Sequence, residues 1–275
     1  MATTYVVGNF KGGVGKTKLV TMLAYENAVV NGKRTLVVDL DPQGNATSIL
    51  AKTGDISKVD RSITKGFIEG DLTKQVTNVL PDLDMIGSNT AFRTLPKILM
   101  KKFPDDDLAA MTYLRTLLAP LQDTYDAIFL DVPPTISDYS DNAMMAADYC
   151  IIVLQTQSLS LDGAKTYIAY MQYLADNYDS TLDILGIVAC MLRPGGRVDE
   201  TIIKEARKSY GNNVLDTVVR YQERLKAYDV EGIHMGQTKG GLKDSWDIKA
   251  HEVFVSVLNE LQQHKEAFDA MREDD

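Results

Sequence analysis

Glycine and lysine are concentrated in the stretch NFKGGVGKTKLV, residues 9–20, with a spacing that suits phosphate binding. Glycines in such a loop let backbone N–H groups approach the phosphates, a lysine supplies positive charge, and a hydroxyl binds Mg2+. Here Lys16 would contact the β- and γ-phosphates of a nucleotide, and Thr17 would contact the metal ion. The candidate nucleotide-binding residues are Lys11, Gly12, Gly13, Val14, Gly15, Lys16, Thr17 and Lys18.

Lys11 departs from the usual phosphate-loop pattern. The first position of G-x-x-x-x-G-K-[ST] is a glycine, and this chain has a lysine there, so the loop is a variant of the motif. The flanking sequence has the required context, because a β-branched and aromatic run precedes the loop and apolar residues at helical spacing follow it. A helix N-terminus placed after a strand favours an anion. We therefore predict phosphate binding here rather than a glycine-rich surface turn.

Three aspartates follow two other strand-like runs, at positions that suit a metal ion and an attacking water. In VDLDPQGNATS, residues 38–48, Asp39 and Asp41 lie on the same face of an extended end because side chains alternate there. Asp131 ends the apolar run AIFL, as a Walker B aspartate does when it reaches the metal. Ordinary turn chemistry at Asp-Pro and Gly-Asn is the alternative interpretation. The candidate Mg2+-binding residues are Thr17, Asp39, Asp41 and Asp131.

Each of these motifs follows a run with the composition of a β-strand. Strand-like runs alternate with helical patterns along the chain. The predicted strands are Thr3–Val7, Thr35–Leu40, Leu83–Gly87, Ala127–Val132, Tyr149–Thr156, Ile184–Leu192 and Val214–Val219. Such alternation predicts an α/β fold, with a mostly parallel twisted sheet flanked by helices on both faces. Nucleotides bind such sheets at the carboxyl ends of the strands.

The composition indicates one large domain. The chain has 275 residues, of which 45% are hydrophobic, and no proline- or glycine-rich linker interrupts it. We predict a single domain over residues 1–275, with no N-terminal helix-turn-helix because the phosphate loop begins at residue 11. Cys150 and Cys190 lie in apolar strand-like runs, so we expect buried free thiols, which fit a cytoplasmic setting.

Charge is distributed unevenly along the chain. The net charge of -9 excludes a protein that is basic all over. Residues 193–226, however, contain eight basic and five acidic residues, which gives this segment +3 and the rest of the chain -12. Clustered Arg and Lys can neutralise DNA phosphates independently of sequence, although a mixed-charge helix is often only a solvated face. Arg197 and Arg224 are the candidate DNA-binding residues.

The three motifs together resemble those of the ParA-type partition ATPases, in the deviant Walker A group that also includes MinD-like proteins. The matching pieces are KGGVGKT at 11–17, DLDPQGNAT at 39–47 and FLDVPP at 129–134. Weaker likeness continues as far as GIVACMLRPGGRVDE at 186–200, so the resemblance covers most of the chain. It implies a deviant Walker A P-loop NTPase fold and an ATPase that uses ATP and Mg2+.

The resemblance also implies a role for each candidate residue. Lys11 would cross a dimer interface to the phosphates of the partner's ATP, whereas a solvated surface lysine is the alternative. Asp41 would orient the attacking water, with Asp39 and Asp131 in the outer shell of the metal. Lys18 departs from the family, which commonly has a second hydroxyl residue there. The implied catalytic residues are Lys11, Lys16 and Asp41.

Partners follow from the same resemblance. An ATP-dependent sandwich homodimer would bind nonspecific DNA, and a centromere-binding, ParB-type adaptor protein would stimulate its slow hydrolysis. The expected location is the cytoplasm, in association with the nucleoid.

Two other functions are compatible with the phosphate loop. A MinD-like membrane switch would need a basic amphipathic C-terminal helix. The pattern at 248–261 is amphipathic, but residues 264–275 contain five acids and two Lys or Arg, so we expect this helix to pack on the domain without membrane contact. A metabolic ligase or reductase is the other alternative, and neither cysteine lies in the loop position that an interfacial iron–sulfur cluster needs.

Overall fold

The computed structural model describes residues 1–155, 158–192, 197–236 and 244–273. Within these ranges lie eight β-strands, which are β1 (Thr3–Gly8), β2 (Thr35–Asp39), β3 (Val76–Leu80), β4 (Leu83–Ile86), β5 (Ala127–Asp131), β6 (Tyr149–Gln155), β7 (Asp183–Leu192) and β8 (Val214–Arg220). They form one sheet in the order β3-β4-β2-β5-β1-β6-β7-β8. Neighbouring strands are parallel except for the β3–β4 pair.

The sequence predicts seven of these strands, and each observed end lies within one residue of the predicted end. The strand absent from the prediction is β3, which lies at the edge of the sheet and pairs antiparallel with β4. Its residues are mostly half-buried, so it lacks the continuous apolar run of a central parallel strand. A two-residue connection joins β3 to β4, with Asp82 in the left-handed region at φ 61°.

Eleven α-helices lie in the described part of the chain. They are α1 (Lys16–Val29), α2 (Asn45–Thr53), α3 (Ile63–Glu69), α4 (Leu95–Lys102), α5 (Asp107–Met111), α6 (Tyr113–Leu118), α7 (Asp138–Ala146), α8 (Ser158–Tyr178), α9 (Arg197–Tyr210), α10 (Glu223–Glu231) and α11 (Ser245–Glu273).

These helices cover both faces of the sheet, and successive residues of β1 show the division. Val6 belongs to a core that contains Phe67 of α3 and Tyr167 of α8. Val7 belongs to the opposite core, with side chains from α1, α2, α10 and α11 that include Phe254. The alternation follows from the two-residue period of a strand. The predicted α/β fold, with a mostly parallel sheet between two layers of helices, is confirmed.

The long C-terminal helix α11 packs on α1 through its apolar residues. Phe254, Val257 and Leu261 are buried in the core on that face, as the prediction for this helix required. These three side chains are therefore not available to a lipid surface. Among the described residues, no helix has the length and apolar character needed to cross a membrane.

A buried ion pair also joins α1 to α11. The Glu26 carboxylate contacts His251 Nδ1, and both side chains are almost completely buried. His251 Nε2 lies 3.1 Å from the carbonyl oxygen of His234, so both ring nitrogens face acceptors and the imidazolium form fits the site. Burial opposes this charge, but the hydrogen bond and charge of Glu26 raise the pKa of His251 above its ordinary value.

Both cysteines are free and buried, as predicted. Cys150 lies in β6 and Cys190 in β7, and burial raises the pKa of each thiol well above its ordinary range. A thiol with a raised pKa is a weak nucleophile at neutral pH, so these side chains act as small apolar groups.

Candidate nucleotide-binding site

The phosphate loop connects β1 to α1 at the centre of the sheet. β1 lies between β5 and β6, and the chain passes to opposite sides of it, which makes the carboxyl end of β1 a topological switch point. Gly13 and Gly15 have φ values of 74° and 99°, a region that residues with a side chain rarely adopt. The glycines at these two positions therefore allow the tight path of the loop into the N-terminus of α1.

The loop forms one wall of a cavity of about 550 Å³. The other walls include Asp41 and Gln43 after β2, Pro134 after β5 and Asp229 of α10. The predicted phosphate-binding loop and the predicted water-orienting aspartate therefore meet at one cavity.

Lys16 lies inside this site. Its side chain is 6% exposed, and Nζ donates to the carbonyl oxygen of Lys11 at 3.1 Å. Burial lowers the pKa of Lys16, while the nearby carboxylates of Asp131 and Asp41 act in the opposite direction. The ammonium is therefore bonded to the backbone of the loop and attracted by two carboxylates, and a phosphate would be a strong additional partner.

Asp131 and Asp39 are side by side at the ends of neighbouring strands, in register across β5 and β2. Thr17 Oγ1 donates to Asp131 Oδ2 at 2.9 Å, whereas Asp131 Oδ1 is buried and has no hydrogen-bond partner in the described structure. Burial, followed by the charge of Asp39, raises the pKa of Asp131 well above its ordinary value. Carboxylate and hydroxyl oxygens are ligands that suit Mg2+, and the buried Asp131 Oδ1 is not committed to another group in the described structure.

Both carboxylate oxygens of Asp39 accept hydrogen bonds from the chain segment that follows β2. Its Oδ2 accepts from Thr47 N at 2.9 Å and from Thr47 Oγ1 at 2.7 Å, and its Oδ1 accepts from Asp41 N at 3.0 Å. Burial raises the pKa of Asp39 to about 6. These bonds fix the start of α2 and the backbone of Asp41, a supporting role that the sequence pattern did not indicate. Its predicted place in the outer shell of the metal stays a prediction.

Asp41 has the more open position of the two. Its Oδ1 accepts from Gln43 N at 2.8 Å, and the side chain is only partly buried at the wall of the cavity. A carboxylate with this access can accept a hydrogen bond from a water near the phosphates. Its role in hydrolysis remains a prediction at this stage.

Lys18 lines the same cavity and is paired with a residue of another wall. Its Nζ forms an ion pair with Asp229 of α10, and the backbone oxygen of Asp229 accepts from Lys52 Nζ of α2 at 2.8 Å. Burial lowers the pKa of Lys18, and Asp229 opposes this shift. The lysine at this unusual position therefore has a structural partner. That partner lies more than 200 residues away in sequence, so the sequence around Lys18 does not predict it.

The structure describes the side chain of only one of the two predicted DNA-binding residues. Arg224 Nη2 lies 2.8 Å from Asp244 Oδ2, and its Nε lies 2.9 Å from Asp247 Oδ1, with the side chain 25% exposed. The sequence did not indicate these two partners. Arg197 is the first residue of α9, and its side chain lies outside the described part of the chain. DNA contact stays a prediction for both.

Comparison with known proteins identifies the family. A family model described as an AAA domain matches residues 2–184. The chromosome-partitioning ATPase Soj of Treponema pallidum is 28% identical over 237 residues, which cover 85% of this chain and 88% of Soj. The chain belongs to the ParA-type partition ATPases. The resemblance carried by the phosphate loop, the segment after β2 and the end of β5 is thereby confirmed.

Solved structures show that the ParA-type fold extends over almost the whole chain. The structure of apo McdA from Cyanothece has a TM-score of 0.78 and 19% identity, covering 95% of this chain and 100% of McdA. Cobyrinic acid a,c-diamide synthase from Mycobacterium smegmatis, solved with ADP and magnesium, has a TM-score of 0.72 and 22% identity, covering 84% and 92%. At these identities the likeness concerns the fold alone, so the ligase alternative gains nothing from the second of them.

Proposed function

We propose that this ParA-type ATPase is a DNA-segregation switch. ATP and Mg2+ would promote a sandwich homodimer, the dimer would bind nonspecific DNA, and a centromere-binding ParB-type adaptor would stimulate slow hydrolysis and release. The observation that carries the proposal is the single cavity shared by the phosphate loop and Asp41, with Lys11 at the start of that loop. The proposed location is the cytoplasm, on the nucleoid. The covered apolar face of α11 gives the membrane alternative no support.

The residues of the site divide the work of ATP hydrolysis. The loop from Gly12 to Thr17 and the N-terminus of α1 would bind the phosphates, with the Lys16 ammonium on the β- and γ-phosphates. Thr17 and Asp131 would hold Mg2+, which would supply charge neutralisation on those phosphates. Asp41 would orient the attacking water, and Asp39 would hold the backbone of Asp41 in place.

Asp41→Ala should bind ATP and dimerise but lose most of its hydrolytic activity. The substitution removes the carboxylate proposed to orient the water and leaves the phosphate contacts in place. General-base and water-positioning groups contribute roughly 100-fold or more to rate, so we expect a loss of about that size. Steady-state phosphate release measures it, with Asp123→Ala, which removes an exposed carboxylate outside the cavity lining, as the matched control. An unchanged rate would exclude Asp41 from the chemistry.

Lys11→Ala should separate nucleotide binding from dimerisation. If Lys11 contacts the nucleotide of the partner, each monomer of the variant still binds ATP, but the facing phosphates lose their neutralising charge and the ATP-dependent dimer does not form. Light scattering with and without ATP, beside a titration with a fluorescent ATP analogue, measures the two properties. A dimer of normal strength would contradict the trans role.

The basic segment 193–226 is divided between two edges of the sheet. One is the edge where the parallel strands end, which also carries the phosphate loop, and the other is the edge where they begin. β8 is parallel to β7, β6 and β1, so Arg220 at its end lies at the same edge as the phosphate loop. Arg207 and Lys208 lie in the last turn of α9, near the start of β8 and therefore toward the opposite edge. Only part of the segment can therefore face the same surface as the nucleotide.

We place the proposed DNA surface at the nucleotide edge. Arg220 and Lys226 are exposed there, and Lys249 of α11 lines the same cleft as Arg220, with its Nζ 5.3 Å from the Trp246 ring. Arg224 lies in this cleft, where its two carboxylate partners make it a support of the surface. Arg197 begins the helix that follows β7 and would lie at the same edge.

Charge reversal tests this surface. Arg220→Glu and Lys226→Glu should weaken ATP-dependent DNA binding for all sequences and reduce the slope of log K against log salt by about 1 for each phosphate that is no longer neutralised. Fluorescence anisotropy with ATP, with ADP and without nucleotide measures binding, and Lys97→Glu, exposed on α4, is the matched control. We avoid Arg224→Glu because a third carboxylate beside Asp244 and Asp247 would destabilise the fold. Parental affinity in both variants would remove this surface from the proposal.

A further inference from the structure

Helix α8 passes directly against the residues that precede the phosphate loop. A Cβ atom placed on Gly163 of α8 would lie 2.5 Å from Asn9 Oδ1 and 3.4 Å from Lys11 Cβ. The first distance is shorter than carbon and oxygen atoms tolerate without a shift of one of them. Glycine at this position is therefore what allows α8 to approach the start of the loop so closely.

Asn9 is fully buried and links the loop to the sheet. Its Nδ2 donates to the carbonyl oxygen of Val153 in β6 at 2.8 Å, and its Oδ1 accepts from Lys11 N at 2.8 Å. An atom that pushed Oδ1 away from Gly163 would therefore move the backbone of Lys11 as well. The hydrogen bond transmits the packing of α8 to the backbone of Lys11.

The residue between them is held by the same helix. Phe10 packs on Tyr167 and Tyr170 of α8, with ring centroids 4.7 and 5.8 Å apart. Three consecutive residues, 9 to 11, are thus fixed by α8 and β6. The nucleotide cavity, by contrast, is lined by residues of the loop from Gly12 onward and by neither Asn9 nor Gly163.

We infer that Gly163 and Asn9 are positioning residues for Lys11, which set the direction of its side chain toward a facing nucleotide. The inference rests on the proposed trans role of Lys11. It separates two functions within one loop: residues 12–18 hold the nucleotide of their own subunit, and residues 9–11, held by α8, present the cation that completes the site of the partner.

Gly163→Ala should weaken ATP-dependent dimerisation about tenfold or more, because overpacking of this size displaces backbone and side chains. The Kd of the dilute monomer for a fluorescent ATP analogue should stay within about threefold of the parental Kd. Alanine favours a helix more than glycine does, so the thermal midpoint reports separately on any general loss of structure. Lys165→Ala, exposed two residues along the same helix, is the matched control.

Asn9→Ala provides a second test that adds no bulk. It removes the Asn9 side-chain hydrogen bonds with Val153 and Lys11 and should reproduce the split between retained ATP binding and lost dimerisation, even where Gly163→Ala fails to fold.

The outcomes separate the two ideas. Normal dimerisation by Lys11→Ala would contradict the proposed function and with it the role of Gly163. Loss of dimerisation by Lys11→Ala, with parental dimerisation by Gly163→Ala and Asn9→Ala, would overturn only the positioning role. An equal loss of monomeric ATP affinity and dimerisation in the two positioning variants would also overturn it, since their effect would then lie in the loop as a whole.

Discussion

Lys16→Ala is expected to lose ATP binding by about 100-fold, which corresponds to about 3 kcal/mol for removal of a buried charge from its partner. Lys16 is buried at the junction of the phosphate loop and α1, and its ammonium lies near Asp131 and Asp41. In its absence those carboxylates would repel the phosphates without compensation. Isothermal titration with ATP and Mg2+ measures the change.

An exposed lysine provides the control for this experiment. Lys101→Ala on α4 removes the same charge from the surface and should leave the Kd for ATP unchanged. Dimerisation and DNA binding should be lost with ATP binding in Lys16→Ala, because both depend on the bound nucleotide in the proposed function. Normal ATP affinity in that variant would show that the loop does not bind phosphate through Lys16.

His251→Ala is expected to destabilise the fold by about 3–5 kcal/mol, the usual cost of removing one partner of a buried ion pair. Glu26 would be left as a buried carboxylate, and its Oε2 already has no hydrogen-bond partner in the described structure. Chemical denaturation measures the free energy of unfolding. Glu252→Ala, an exposed neighbour on α11, should change it by less than about 0.5 kcal/mol.

The same pair gives the fold a pH dependence with a definite sign. Because the pKa of His251 is raised above its ordinary value of 6.5, the stabilisation is complete below that pH and is lost as pH rises through the higher pKa of the folded state. Burial also raises the pKa of Glu26, so this group likewise makes the fold less stable as pH rises. The double variant Glu26→Leu, His251→Leu should lose this pH dependence and be more stable than His251→Ala. Equal stability of His251→Ala and Glu252→Ala would contradict both expectations.

The elements around the nucleotide could be predicted from sequence because their signals are local. The loop before Lys16, the aspartates after β2 and the aspartate at the end of β5 are each recognisable within a few residues. Parallel pairing of adjacent strands then brings Asp39 and Asp131 into register at one sheet edge. Apolar and β-branched runs likewise located seven of the eight described strands.

The parts that could not be predicted depend on contacts between distant segments. Lys18 finds Asp229, and Arg224 finds Asp244 and Asp247, through the packing of α1, α10 and α11. A charged side chain in the sequence does not show whether another segment will neutralise it. The packing of Phe10 has no local signal for the same reason, since its ring partners on α8 are about 160 residues away in sequence.

The strand order has an evolutionary consequence. The aspartates proposed for hydrolysis come from β2 and β5 on one side of β1, whereas the basic surface comes from β8 and its neighbouring helices on the other side. Substitutions in these two halves share few partners and should therefore combine almost additively. A lineage can change what the β8 half binds while the ATP chemistry of the β2–β5 half stays intact. The residues constrained by both are those of the central β1 loop and Asp229 of α10, which lines the nucleotide cavity, pairs with Lys18 and accepts from Lys52 of α2.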